Sequence, residues 1–324
     1  MAEAPKTLSP DARRVIRLLR IAAEKCRRIV LNPPGGTESA RAFASSRAAA
    51  QLAEINRELD QLKVVAVRVG NAEIERKYRE GLIAAEKMAK DAGVRRAGSA
   101  VAGTFSRVDR RQAEVLSRDV ATNLIKAIDS IKRVTGRVVR QTQALGLNDK
   151  KVNRIIAGGT IEGMPADTLR KLRKETRRIA NGGFVETVNK TTGVVTRHRP
   201  DDYADLVYQT KTREATRIAT AERLSERGID LVKIIGSNSV NFCTHFVGKV
   251  YSISGKSTEY PALSSLPGGG PPFHPRCSKT IVAFILLLAT PKQIDDSKQT
   301  AATRELSGKT AAEAQKIARQ RKAA

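Results

Sequence analysis

Residues 48–69 read AAAQLAEINRELDQLKVVAVRV. Within them Ala48, Leu52, Ile55, Leu59, Leu62, Ala66 and Val69 fall alternately four and three apart, which keeps one narrow stripe of a helix apolar over successive turns. Such a seam of medium-sized side chains suits helices packed antiparallel in an open bundle, or helices packed on other subunits. Upstream, residues 9–31 read as a helix: Ser9 caps, Pro10 fits the first turn, and Ala12, Val15, Leu19, Ala22, Cys26 and Ile29 share one face. Asn32 to Gly36 stops it. Downstream the pattern breaks near Gly70, resumes from Ala72 to Ala92, and crosses a Gly/Ala/Ser-rich joint at 97–103. A third helix then buries Ala113, Leu116, Val120, Leu124, Ala127, Ile131 and Val134. Residues 1–146 therefore read as an elongated helical arm.

The texture changes further on. Residues 147–183 form a basic helical connector, two short helices around a glycine-rich turn, and Asn181-Gly182-Gly183 ends it. Phe184–Val188 and Val194–His198 alternate like the two strands of a hairpin around Asn189–Gly193. A helix follows from Pro200 to Arg227, then a strand from Ile229 to Ile235 and a buried strand from Thr280 to Leu288. Residues 291–324 read as a basic tail whose part from Thr310 onward can form a helix. The expected fold is a mainly α N-terminal helical arm followed by a small α+β C-terminal domain at 184–290.

The chain has 324 residues, 59 Lys and Arg against 33 Asp and Glu, and a formal charge of +26. Residues 1–200 hold 41 basic and 21 acidic residues, whereas 201–290 hold 10 and 8. So large an excess points to a polyanion, because each cation set on a phosphate releases a condensed counterion. The densest run, Arg170, Lys171, Arg173, Lys174, Arg177 and Arg178, places six cations in nine positions and is the first candidate for contact with double-stranded DNA. Residues 147–180 also match a helix-turn-helix loosely, which leaves a sequence-specific DNA-binding regulator as an alternative. The scattered acidic residues on these helices read as surface ion-pair partners. His198, between two arginines at a strand end, reads as a solvated residue.

Three cysteines exclude a disulfide scaffold, and the longest apolar run, the nine residues Ile281–Ala289, is short of the roughly 18 a membrane span needs. The first residues lack the basic-then-apolar order of a secretory signal, so synthesis in a reducing compartment is expected. Two of the three cysteines and two of the three histidines crowd into Cys243-Thr244-His245 and His274-Pro275-Arg276-Cys277. Cys243, His245, His274 and Cys277 match the ligand set of a tetrahedral zinc site. The same residues also read as buried thiols with a backbone-bonded histidine, or as a Cys-His pair in a zinc or thiol hydrolase. Gly255-Lys256-Ser257 resembles the end of a phosphate loop, but Val250 stands where the leading glycine belongs.

Residues 184–290 resemble the minor capsid, or head morphogenesis, proteins of tailed bacteriophages, the phage Mu F-like head proteins. The likeness runs through Asp201–Val207, Arg213, Glu214, Ala215, Arg217 and Gly228–Val232. It is sharpest at Gly248-Lys249-Val250-Tyr251-Ser252-Ile253-Ser254-Gly255 and Pro271-Pro272-Phe273-His274-Pro275-Arg276-Cys277. It implies a non-enzymatic structural protein made in the bacterial cytoplasm. It also implies a place in the virion at the portal vertex inside the head, in several copies, touching portal and capsid proteins and packaged DNA, and no membrane. Phe246 and Lys279 stand where metal-binding members often carry further ligands, and His245 is the substitute for the first of them.

Overall fold

The computed structural model describes residues 8–31, 38–94, 103–188, 194–239 and 241–323. Among these the order is α1 (Pro10–Leu31), α2 (Glu38–Asp91), α3 (Arg107–Ala144), α4 (Asp149–Ala157), α5 (Ala166–Ala180), β1 (Val185–Val188), β2 (Val195–His198), α6 (Pro200–Glu226), β3 (Leu231–Ile235), β4 (Val250–Ser252), β5 (Thr280–Ala283), α7 (Pro291–Ser297), α8 (Ala301–Leu306) and α9 (Ala311–Ala323). The protein is mainly helical, with two small antiparallel sheets toward the C-terminal end, as the expected fold class requires. No helix among the described residues is long and apolar enough to cross a membrane. The expected stop at 32–36, most of the joint at 97–103 and the hairpin turn at 189–193 lie outside the described residues.

Contacts gather the chain into two compact units that do not follow sequence order. Ser9–Gly70 with Val120–Asp205 forms one, here the seam unit; Asn71–Asp119 with Leu206–Ala324 forms the other, the sheet unit. This division differs from the expected boundaries at 146, 183 and 290. The physical reason is length: α2 alone, at 54 residues, is ~80 Å long, so α2, α3 and α6 each supply one stretch to each core. Charge divides differently too. The seam unit holds 29 basic and 15 acidic residues and the two long stretches of the sheet unit 29 and 17, so there is no near-neutral module behind a basic arm.

In the seam unit the apolar stripes behave as their spacing requires. Leu19 and Val15 of α1, Leu59 and Ala66 of α2, and Leu124 and Ile131 of α3 are buried, each such side chain contributing about 1.5–3 kcal/mol where it is a Val, Leu or Ile. On α1, Val30 rather than Ile29 closes the buried stripe. The expected break near Gly70 does not occur, and α2 runs straight through it. Gly70 is buried where the helix meets α3, and a Cβ there would stand 3.0 Å from Val120 Cγ1. Salt bridges Lys63–Asp129 (2.5 Å) and Lys132–Asp60 (2.8 Å) flank that contact. The expected connector is part of this core: α4 and α5 join through Leu147, Val152, Ile155, Leu169 and Leu172, and both pack on α1. The hairpin pairs Val185 with His198 and Val188 with Val195. His198 is half-buried rather than solvated, with Nε2 2.9 Å from Thr187 Oγ1 and its ring against Tyr203.

The sheet unit is built on a three-stranded antiparallel sheet in the order β4-β3-β5. One face meets Ala85 and Ala89 of α2 and Leu224 of α6, joined by Phe242, Phe246, Phe273 and Tyr251. Contact between α2 and α6 is close because Gly81 has no side chain; a Cβ there would collide with the Thr216 carbonyl oxygen and lie 2.9 Å from Ala219 Cβ. Thr216 and Thr220 hydroxyls donate across the crossing to the carbonyls of Lys77 (3.1 Å) and Gly81 (3.2 Å). Strand β5 ends at Ala283 rather than at Leu288: Leu286–Leu288 is a 3-10 turn, and Leu287 is 96% exposed. Residues 291–323 do not remain a free tail, since Leu306, Ala314 and Ala318 enter the sheet unit's core.

Candidate metal centre

Antiparallel pairing of β3 with β5 sets Ile235 opposite Thr280, so the chain leaving β3 and the chain entering β5 share one end of the sheet. Cys243 lies on the first of these segments, in the 3-10 turn Phe242–Phe246. His274 and Cys277 lie on the second, at the two ends of a four-residue turn closed by the Cys277 N–H donating to the His274 carbonyl (3.0 Å). Pro275 suits the second position of such a turn, and Arg276 takes the third with φ +62°. Arg213 of α6 holds the turn from behind, its guanidinium donating to the Cys277 carbonyl at 2.7 Å. Arg217 donates to the Gly269 carbonyl at 3.1 Å.

The thiols of Cys243 and Cys277 and the ring of His274 thereby converge, with all three ligand atoms within 4.8 Å of one another, close enough to hold a metal ion. Both cysteines are 1% exposed. His274 Nδ1 lies 2.9 Å from the Pro275 carbonyl, which can only accept, so Nδ1 carries the proton. That fixes the neutral tautomer and leaves Nε2, 3.2 Å from Cys243 Sγ, as the lone-pair nitrogen facing the thiols, the orientation a metal-ligating histidine needs. The two sulfurs share their proton unequally. Cys277 is held well below the usual thiol range, first by the Cys243 thiol bonded to it, against the opposing effect of burial, and with help from His274 and the backbone N–H groups of Lys279 and Phe273. Cys243 is pushed up correspondingly, by Cys277 and then by burial. His274 is made more basic, chiefly by its hydrogen bond to Cys277.

His245, expected as the fourth ligand, is not part of the group. A 3-10 turn advances about 120° per residue, so residues two apart point to different faces while i and i+3 eclipse. Cys243 and Phe246 therefore face the core and His245 is exposed. Phe246 stacks on Phe273 at a centroid separation of 4.8 Å, and buried Lys279 donates to the Ser237 carbonyl, so neither position supplies a ligand. Ser239, which the sequence reading passed over, places Oγ 3.5 Å from Cys243 Sγ. Comparison with known proteins finds no matching family, curated protein or solved structure.

The six cations of α5 do not act as one surface. Arg173 spans back to the carbonyls at the end of α4, bonding Ile155 (3.1 Å), Gly158 (2.8 Å) and Gly159 (2.7 Å). Arg178 is largely buried, bonded to the carbonyls of Gly183 (2.6 Å) and Phe184 (3.0 Å) and paired with Glu186. Arg177 donates Nε to the Ile156 carbonyl (2.6 Å) but stays exposed, and Arg170 pairs with Asp167 at the surface. Lys171 and Lys174 are exposed. A clearer cationic feature sits on α3, where Lys126, Arg133, Arg137 and Arg140 are all exposed, fall seven, four and three residues apart, and pair with no carboxylate among the described residues. The apolar stripe of α3 implies this opposite face, although charge is densest in sequence on α5.

Proposed function

We propose that this chain is a structural minor capsid, or head morphogenesis, protein of a tailed phage that contacts packaged DNA without reading its sequence. The phage-head setting, with portal and capsid partners, several copies at one vertex and synthesis in the bacterial cytoplasm, rests on the likeness of 248–255 and 271–277 to that family. The observation that carries the DNA contact is the row Lys126, Arg133, Arg137 and Arg140, a one-sided line of cations ~21 Å long on a single helix. A straight row of this kind tracks phosphates; it presents nothing shaped to base edges. A helix-turn-helix reader at 147–180 is disfavoured because Arg173 and Arg178 of its second helix are committed to backbone carbonyls of the chain itself.

Zinc fits the metal group. Two thiolates and an imidazole are the donors it favours, and ligand atoms in a tetrahedral zinc site stand roughly 3.5–4 Å apart, compatible with the separations here. Cys243, His274 and Cys277 would hold it, and the ion would cross-link the segment after β3 to the turn before β5. The burial of both sulfurs speaks for this structural role over a zinc or thiol hydrolase. The test of the DNA reading is a mobility-shift titration with unrelated duplexes. Equal shifts whose affinity falls steeply between low and moderate salt are expected; strong preference for one sequence, or binding indifferent to salt, refutes it.

A further inference from the structure

The seam unit contains a cavity of about 500 Å³ at the C-terminal end of α5, walled by the hairpin and the first turn of α6. Its lining includes Lys174, Arg177, Arg178, Arg197 and Arg199, and Asp202 is the one carboxylate lining it among the described residues. Small-molecule pockets are mostly apolar with a few polar groups. Here most of the lining residues are charged, five of them cationic. Some of its charge is already used: Arg178 and Arg197 share Glu186 (3.2 and 3.0 Å), and Arg199 lies 3.4 Å from Asp201. Lys174 and Arg177 have no carboxylate partner among the described residues, and both are exposed to the cavity's solvent. Lys174, and Arg177 with only its Nε engaged by the Ile156 carbonyl, face one concave space with two exposed arginines beside them.

We infer that this cavity binds a multiply charged phosphate group, with Lys174 and Arg177 as direct ligands and Arg197 and Arg199 closing on it from the hairpin side. An ammonium supplies a compact charge and a guanidinium a planar pair of donors, the combination that recognises phosphate oxygens. The N-terminal turn of α6 faces it too, the positive end of that 27-residue helix being offset by Asp201 and Asp202 in the same turn. The phosphate has two conceivable sources, a DNA backbone or a free polyphosphate compound. Only the first depends on the function proposed above.

The experiment is calorimetric titration of the full chain with inorganic tripolyphosphate at low ionic strength, with and without duplex DNA. One site per chain is expected. Lys174→Gln with Arg177→Gln weakens it about tenfold or more, since two charge-assisted hydrogen bonds are lost. Arg170→Gln with Lys171→Gln removes the same charge from the same helix outside the cavity and changes affinity less than about twofold. Asp202→Asn tightens binding, an effect that misfolding does not imitate. Displacement of tripolyphosphate by duplex names backbone phosphates as the source; duplex that binds without displacing it names a free compound. Either supports the site. Absence of saturable binding, or equal loss from the two double variants, overturns it whatever the duplex does.

Discussion

The two units treat charge in opposite ways. Every buried charged residue among the described ones, Glu73, Lys77, Glu86, Asp109, Arg223 and Lys279, belongs to the sheet unit; the buried polar groups of the seam unit are hydroxyls such as Ser130, Thr135 and Thr176. In the sheet unit Arg223 pairs with Glu86 (2.8 Å), Asp109 (3.5 Å) and Glu226 (2.8 Å), and Arg227 pairs with Glu86 at 2.6 Å. Beside them the Tyr78 hydroxyl donates to Glu222 and lies 3.3 Å from Asp109. A buried network of this kind fixes one packing arrangement, because any other leaves charges unpaired at large cost. The seam unit instead keeps its interior mainly aliphatic and most of its cations outside, with Arg178 largely buried against backbone carbonyls and Glu186. One unit uses ionisable groups to specify its packing, and the other keeps most of them at its surface.

The largest effect expected in this comparison is on the metal group. Cys277→Ala should lower zinc content from about one ion per chain to near zero and destabilise the metal-loaded protein by on the order of 5 kcal/mol, read by elemental analysis and denaturant unfolding. His245→Ala should leave zinc content unchanged; a parallel loss would return His245 to the ligand set.

Next comes the buried network. Arg223→Ala takes from Asp109 its cation and from Glu86 one of its two, Arg227 remaining, and should cost about 3–5 kcal/mol in urea unfolding, whereas Arg133→Ala on the open face of α3 should cost less than about 0.5 kcal/mol. The carboxyls here also give the stability a sign with pH. Burial alone would raise Glu86, but Arg227 and Arg223 outweigh it and hold the group below its ordinary value. Its contribution is therefore complete above the ordinary carboxylate range and is lost as pH falls through the lowered value. Glu222 is raised, by burial first and by the charges of Asp109 and Glu226, against the Tyr78 hydrogen bond. Its contribution is present below the ordinary range and is lost as pH rises through the raised value. Glu222→Gln should flatten that second limb in unfolding measured across pH, and an unchanged limb would remove Glu222 from the account.

The smallest stability effect separates two glycines of one helix. Gly81→Ala drives a methyl into the backbone of α6 and should cost about 1–3 kcal/mol. Gly70→Ala meets only a valine methyl, which can yield, and the roughly 1 kcal/mol helix preference of alanine offsets the crowding. Equal losses at the two sites would show that both crossings are rigid.

How far the sequence reveals this molecule depends on what each residue's spacing encodes. The α3 stripe, Ala113 through Val134, is buried as its period requires, and the hairpin strands follow from two-residue alternation. A glycine's spacing does not say whether it breaks a helix or admits a neighbour, so Gly70 reads as an end although it is a contact. Glu86 and Asp109 on basic helices read as surface partners; their true partners lie more than a hundred residues away on α6, beyond any local period. Three of the four expected metal ligands stand out as scarce residue types, and they converge because the β3–β5 pairing brings their two segments to one end of the sheet. The fourth, His245, fails because its direction depends on the turn being 3-10, a detail that two-residue spacing does not carry.

The central claim, that an ordered row on the seam unit rather than general basicity meets the polyanion, is tested most directly by the salt dependence of duplex binding. Lys126, Arg133, Arg137 and Arg140 all changed to Gln should lower the slope of log affinity against log salt by roughly 3–4, one counterion for each phosphate contact removed. Lys87, Lys292, Arg304 and Lys309, exposed on α2, α7, α8 and the link between α8 and α9, changed together to Gln should lower it by less than about one. Equal reductions from the two sets, or an undiminished slope when the α3 row is gone, would contradict it.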